Sequence, residues 1–427
     1  PREDAMASDP ASDPASAPVP APASAPADDP RPGSGRRNLL RALTGGGALA
    51  ALSLTAAPQA SAAARPAPTR PAGRPAADPF TLDRFAPTGR LREYWVQADS
   101  FPHNAVPNGH DMMTGAKFTA DQTTFQAIGF RAYSPGWGSP LPADFGPEGI
   151  GANSGIPGPV LRGHVGDTIR VHFRNNDAHY KWPHSMHPHG VRYSPGSDGG
   201  WMADTPDKPG TAVPYKGSYT YTWQCTPGSV GSWPYHDHST PQAPPRPSGG
   251  GSPQGAQGAQ STQGTKDAHG APPGGDAQAA PGGAVAEIGA TLGLFGMIAV
   301  TDDRTPQVDR EFVLFFHDVS PGEAPSVKGE LSLCNGGAFV GNAPTYTART
   351  GERVRWRVGT LGNSFHVFHI HGHRWLSAAG WVDSQVLGPA TTLTVEYTED
   401  NPGDWLYHCH LPGHMSRGMA GGYTVTG

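Results

Sequence analysis

Two stretches of this chain, about 185 residues apart, carry the same features in the same order, and that repetition limits the folded part to two copies of one domain. Pro159 and Gly166 are spaced as Pro344 and Gly351 are, and each glycine is followed by an acidic residue and a β-branched residue–arginine pair. These are Asp167 with Ile169-Arg170, and Glu352 with Val354-Arg355. His-x-x-His-x-His-Gly then occurs twice, at His184/His187/His189/Gly190 and at His366/His369/His371/Gly372. Last comes Trp-Pro-Tyr-His-Asp-His at 233–238, opposite Trp-Leu-Tyr-His-Cys-His at 405–410. Short runs of alternating apolar residues bounded by Gly, Pro and Asn recur at Leu91–Ala98, Thr123–Tyr133, Thr168–Phe173, Ser218–Trp223, Phe295–Val300, Glu311–Phe316, Arg353–Val358 and Thr391–Tyr397. With no long amphipathic helical pattern beside them, they predict an all-β chain of two antiparallel sandwiches.

Glycine and proline make up about a quarter of the 427 residues, a share that would suggest disorder if spread evenly. It is concentrated in two tracts, residues 1–80 and 241–283, and what remains suffices for two β-rich domains. The reading is a leader at 1–62, a flexible linker at 63–88, a first domain at 89–303 interrupted by a disordered insertion at 241–283, and a second domain at 304–427. Arg36-Arg37, a weakly apolar stretch from Leu39 to Ala57 and Ala60-Ser61-Ala62 describe a twin-arginine export signal, so the expected location is outside the cytoplasm. That stretch is too short and too polar for a membrane span. A net charge of -5 with only 31 Lys+Arg leaves no basic stripe for nucleic acid. Three cysteines exclude a disulfide framework, while pairing of Cys225 with Cys334 stays open.

Residues i and i+2 of a strand point to the same side, so His-x-His presents two imidazoles together. Four such pairs occur, His187/His189, His236/His238, His369/His371 and His408/His410, in matching positions of the two repeats. Eight neutral nitrogen ligands suit copper and are a poor choice for Mg or Ca. The second repeat adds Cys409 between two of these histidines, His414 and Met419 five and ten residues later, and His366 from a neighbouring strand. Two His, one Cys and a weak axial Met are the ligands of a blue-copper electron-transfer site. The first repeat has Asp237 at the cysteine position and neither His nor Met at the two later positions, so His184 is expected to be a packing or hydrogen-bonding histidine. The remaining histidines, among them His103, His110, His164, His172, His179, His269, His317 and His373, read as surface or structural.

With Pro-Gly-Pro-Val-Leu-Arg at 157–162, these motifs resemble the multicopper oxidases, and most closely their two-domain bacterial small laccases, over roughly Leu91 to Gly427. The resemblance implies two cupredoxin-like Greek-key β-sandwich domains and four coppers per chain. A type 1 copper would sit on His366, Cys409, His414 and axial Met419, a type 2 copper on His187 and His369, and a type 3 pair on His189, His236, His238, His371, His408 and His410. It further implies oxidation of phenolic or aromatic donors coupled to reduction of O2 to water, and a homotrimer with the clusters at subunit interfaces. Asp198 resembles an acid placed beside the type 2 copper, where it would relay protons or orient a water, Asp383 could do the same near the type 3 pair, and Tyr193 resembles a tyrosine placed near the cluster. A metal-ion oxidase is the alternative within the class, and a non-oxidase copper electron-transfer or storage protein the alternative outside it. A copper nitrite reductase is disfavoured because it needs one type 2 copper rather than eight cluster histidines.

Overall fold

The computed structural model describes residues 87–242 and 287–427, all within the second of the chain's two units, 1–71 and 72–427. The leader, most of the linker and nearly all of the 241–283 tract lie outside the described residues.

Each alternating apolar run falls on a strand, with bounds moved by a few residues. The longest, Leu91–Asn104, outgrows its apolar signal because it is paired on both sides, antiparallel to Thr124–Tyr133 and parallel to Thr168–Asn176. Ser218–Gln224 completes this sheet beyond Thr168–Asn176. The second repeat builds the same sheet in the same order from Leu331–Cys334, Arg310–Val319, Arg353–Thr360 and Thr392–Thr398. Facing it in the first repeat is a sheet ordered Leu161–His164, Phe295–Thr301, Gly231–His236, His187–Pro188. Its counterpart in the second repeat is Tyr346–Arg349, Ala420–Thr426, Gly403–Cys409, His366–Ile370, with Ser384–Leu387 added at the edge.

The repeated residues are the ones that close this architecture. Tyr235 and Tyr407 are fully buried, and each donates its hydroxyl to the carbonyl of the repeat's own proline, Pro159 and Pro344, at 2.7 Å in both cases. Trp233 and Trp405 donate their indole N–H to the carbonyl four residues back, Ser229 and Asn401. Gly190 and Gly372 lie against these tryptophans at φ of +68° and +70°. A Cβ at Gly190 would come within 1.9 Å of the Trp233 ring and one at Gly372 within 2.9 Å of Trp405, so both space and backbone require glycine after each His-x-His.

The two sandwiches share a seam. Residues of the second, among them Phe315, Val319, Leu333 and Phe339, belong to the apolar core of the first, and Phe118 stacks on Phe339 at 4.5 Å. At the polar end of the seam the Glu311 carboxylate meets three guanidiniums: Arg162 at 2.7 Å, Arg357 at 2.9 Å and Arg355 at 3.2 Å. Arg357, almost fully buried, also donates to the Ser232 hydroxyl across the seam. Burial alone would raise the Glu311 pKa, but the charges of Arg357 and Arg162 and the hydrogen bonds from Arg162 and Arg355 hold it down to about 2. A carboxyl whose folded pKa is depressed stabilises the fold above its unfolded value, near 4.5, and loses that contribution as the pH falls towards 2. Glu311→Gln should therefore cost about 3–5 kcal/mol at neutral pH, the range for removing one partner of a buried ion pair. The gap between parent and variant in denaturant unfolding should close as the pH is lowered from 5 towards 2.

Candidate metal centres

In the second repeat, His366 on the His366–Ile370 strand, Cys409 at the end of Gly403–Cys409 and His414 on the short helix Pro412–Ser416 converge, all three buried. Pro412 at the first helical position presets the turn that returns His414 towards Cys409. The Nδ1 atoms of His366 and His414 lie 3.1 Å apart, and Cys409 Sγ is 3.6 Å from His414 Nδ1. Two ring nitrogens at that distance cannot both carry protons, and an arrangement of two lone pairs and a sulfur around one point is what a cation would hold together. Burial and the neighbouring His414 drive the His366 pKa down to about 3, so its ring is neutral. Burial raises the Cys409 thiol, so a thiolate here requires a cation beside it. The Val367 N–H points at Cys409 Sγ from 3.3 Å. Met419, fully buried, lies just before the adjoining strand Ala420–Thr426, and its carbonyl accepts the Cys409 N–H.

The eight paired histidines form two groups built alike. In the first repeat His189 Nε2 and His236 Nε2 are 3.1 Å apart, and the His187 ring lies 5.2–5.5 Å from those of His189, His236 and His238. In the second, His371 Nε2 and His408 Nε2 are 3.0 Å apart, and the His369 ring is 5.3 Å from those of His371, His408 and His410. Backbone carbonyls orient the rings identically. His187 Nδ1–H donates to the Asp198 carbonyl and His369 Nδ1–H to that of Asp383, while His236 and His408 donate to the carbonyls of Asp237 and Cys409. That choice of tautomer leaves Nε2 as the free lone pair in each ring. Burial, then mutual repulsion among the imidazoles, lowers the pKa of His189 and His236 to about 4 and also lowers that of His371 and His408. No ring contact or hydrogen bond among the described residues joins one group to the other, and His238 and His410 remain substantially open to solvent. Each group thus gathers four imidazoles by itself.

Asp198, Asp383 and Tyr193 all border these groups. The Asp198 carboxylate sits 3.4 Å from His187 Nδ1 and is paired with Lys208 at 3.1 Å. Asp383 is exposed beside His369 and, with His373, Arg374 and Trp381, lines a cleft of about 450 Å³. Tyr193 packs edge-on against His187 at 6.1 Å, its pKa raised by burial and by Asp198. Sequence reasoning missed Glu287, whose carboxylate lies 3.4 Å from His238 Nε2; 49 positions separate the two, and no spacing rule links them. His373, read as surface or structural, is structural: the ring is buried, donates to the His371 carbonyl and contacts Glu399, which also accepts from Tyr423. Cys225 and Cys334 are buried free thiols.

His184 occupies in the first repeat the place of His366 in the second, and Asp237 that of Cys409. His184 is buried with Nδ1 2.9 Å from Asp237 and Nε2 3.2 Å from Asp177. The hydrogen-bonding role expected for it is fulfilled by two carboxylates. Asp237 also accepts the Ser185 N–H, and the Ser185 hydroxyl accepts the His238 N–H, so this knot braces the strand ends that carry the first histidine group.

A family model described as multicopper oxidase matches residues 141–251, and a second with the same description matches 318–427. The chain is 27% identical over 404 residues to the human protein named ferroxidase HEPHL1, covering 81% of this chain and 29% of that one. It is 28% identical over 385 residues to sheep ceruloplasmin, covering 79% and 32%. The chain thus spans about a third or less of the length of these curated relatives. A solved multicopper oxidase superposes with a TM-score of 0.51 at 21% identity, covering 80% of this chain and 92% of that one. That likeness identifies the fold as cupredoxin-type.

The His184 knot makes its own prediction. Burial would lower the His184 pKa, but the charge of Asp237 and the hydrogen bonds to Asp177 and Asp237 raise it to about 9. A histidine with a raised folded pKa stabilises fully below its unfolded value, near 6.5, and loses that contribution as the pH rises through about 9. Asp237→Asn should lower unfolding stability by about 1–3 kcal/mol at pH 6, the cost of a lost buried charged hydrogen bond. Unfolding curves of parent and variant should converge between pH 7 and 10.

Proposed function

The chain belongs to the multicopper oxidase family, and from that premise we propose that it couples one-electron oxidation of phenolic or other aromatic donors to the four-electron reduction of O2 to water. The donor set fits copper: imidazole nitrogens and one cysteine sulfur converge, and carboxylates stay outside the convergent atoms. His366, Cys409, His414 and Met419 would hold a type 1 copper; His187 and His369 a type 2; and His189, His236, His238, His371, His408 and His410 a type 3 pair, four per chain. Bound copper would supply the reversible one-electron chemistry that none of the side chains has.

The chain's own residues do the rest. Cys409 is bonded through the backbone to His408 and His410, giving a short covalent connection between the electron-entry site and the cluster half-site. Asp198 and Asp383 would relay protons to the cluster; each is tied through its own carbonyl to the histidine it borders. Tyr193 is placed to give up an electron beside His187.

The observation that carries the reading is that each chain has two complementary four-histidine halves that do not meet among its described residues. A first-repeat half of one subunit facing a second-repeat half of the next completes a cluster, and repeating that head-to-tail contact closes a ring, which we take to be a homotrimer. Export by the twin-arginine leader belongs to the same reading. The second reading, oxidation of a metal ion such as ferrous iron, draws on the ferroxidase named among the relatives. Phenol and ferrous iron compared as donors in O2-uptake assays decide between them.

The copper-loaded protein should show an intense blue band, a near-ultraviolet shoulder and about four coppers per chain. Cys409→Ser should abolish the blue band and keep the shoulder; one or two coppers per parent chain would overturn the cluster. Mixed refolding of His187→Ala/His189→Ala chains with His408→Ala/His410→Ala chains should recover oxidase activity that neither has alone, because a hybrid ring contains intact pairs of halves. A monomer active at full copper content would refute the shared cluster.

A further inference from the structure

The two repeats differ at the front of one equivalent histidine and agree behind it. In the first repeat His184 faces Asp237 through Nδ1 and Asp177 through Nε2. In the second, His366 faces Cys409 and His414 through Nδ1, and its Nε2 is directed at the Asp318 carboxylate, 3.7 Å away. The carboxylates come from different places: Asp177 lies seven residues before His184, whereas Asp318 comes from the Arg310–Val319 strand. An acid behind this histidine thus arises twice by separate routes.

The chemistry of the ring explains why one is needed. A neutral imidazole that offers its Nδ1 lone pair to a cation carries its proton on Nε2. His366 is fully buried, and its Nε2 has no hydrogen-bond partner. A buried N–H without an acceptor is costly, and the acceptor facing it is Asp318 Oδ2. Asp318 Oδ1 is already engaged by the Ser332 hydroxyl at 2.6 Å, which leaves Oδ2 for the histidine. Burial disfavours the Asp318 charge, opposed by Ser332 and the nearby His414 and Arg417, with Glu330 acting the other way. A further N–H donor would therefore be a net gain to the carboxylate.

We propose that Asp318 is a positioning residue for the type 1 site: it accepts the His366 Nε2–H when copper is on Nδ1, fixes the ring's tautomer and tilt, and through that hydrogen bond makes His366 a stronger donor. A stronger donor favours the oxidised ion, so Asp318 lowers the reduction potential of the site and retains its copper. The inference rests on the reading of His366, Cys409 and His414 as a copper site.

The test is redox titration of the blue band on the full copper-loaded protein, with copper content and loss of type 1 copper to a chelator measured on the same samples. Asp318→Asn keeps size and removes charge; the blue band should remain, the potential should rise, and copper loss should be faster by roughly 10–100-fold. Ser332→Ala frees Asp318 from its competing donor without touching the histidine, and the potential should fall. Opposite shifts are not produced by loosened packing. An unchanged potential in Asp318→Asn at full copper, or shifts of the same sign in both variants, would overturn the proposal. Should Asp318→Asn not fold, Ser332→Ala decides alone, a fall supporting the proposal and no change sinking it. A parent protein with no blue band would instead refute the copper reading on which the proposal rests.

Discussion

One carboxylate shared by three guanidiniums governs how this molecule is assembled. Glu311 receives Arg162 from the first sandwich and Arg355 and Arg357 from the second, and Arg357 reaches back across the seam to Ser232. Such a cluster tolerates little rearrangement, because moving either sandwich would strand buried positive charge without its counter-ion. The apolar seam alone, with Phe315 on Phe295 and Phe118 on Phe339, would resist separation but not sliding. Together they fix the two sandwiches, and with them the two histidine groups, which do not meet among the described residues.

The duplicated domain shows how a shared framework accepts different chemistry. Proline carbonyl, tyrosine hydroxyl, indole N–H and the left-handed glycine recur with nearly the same contacts in both halves. On that framework the second half places a thiol and two imidazole lone pairs around one point, a donor set that suits copper. The first half fills the equivalent place with an imidazolium between two carboxylates, a proton standing where a metal would. Both solutions satisfy the same buried position, the former with metal-ligand atoms and the latter with an ion-paired hydrogen-bond knot.

The strands, the duplication and every histidine in the two groups were legible because they rest on local rules: period-two alternation, His-x-His on one strand face, glycine where a tryptophan leaves no room for a Cβ. Cys409 and His414 were legible for the same reason, lying within six residues of one another. Asp177 beside His184 could have been suspected from its spacing, but nothing local marked Asp318 behind His366 or Glu287 beside His238. Those contacts join residues 48 and 49 positions apart and exist only because two sheets are stacked or because the chain returns after a long excursion.

By itself the sequence determined which side chains could hold metal and that there were two sets of them, since ligand identity and strand periodicity are properties of short segments. Tertiary structure alone decided which nitrogen of each ring is free, because that depends on which backbone carbonyl takes the other ring N–H. It also decided that the two sets do not meet among the described residues, because the sandwiches that carry them are fixed by a seam of buried charge and packed aromatic rings that no local pattern encodes.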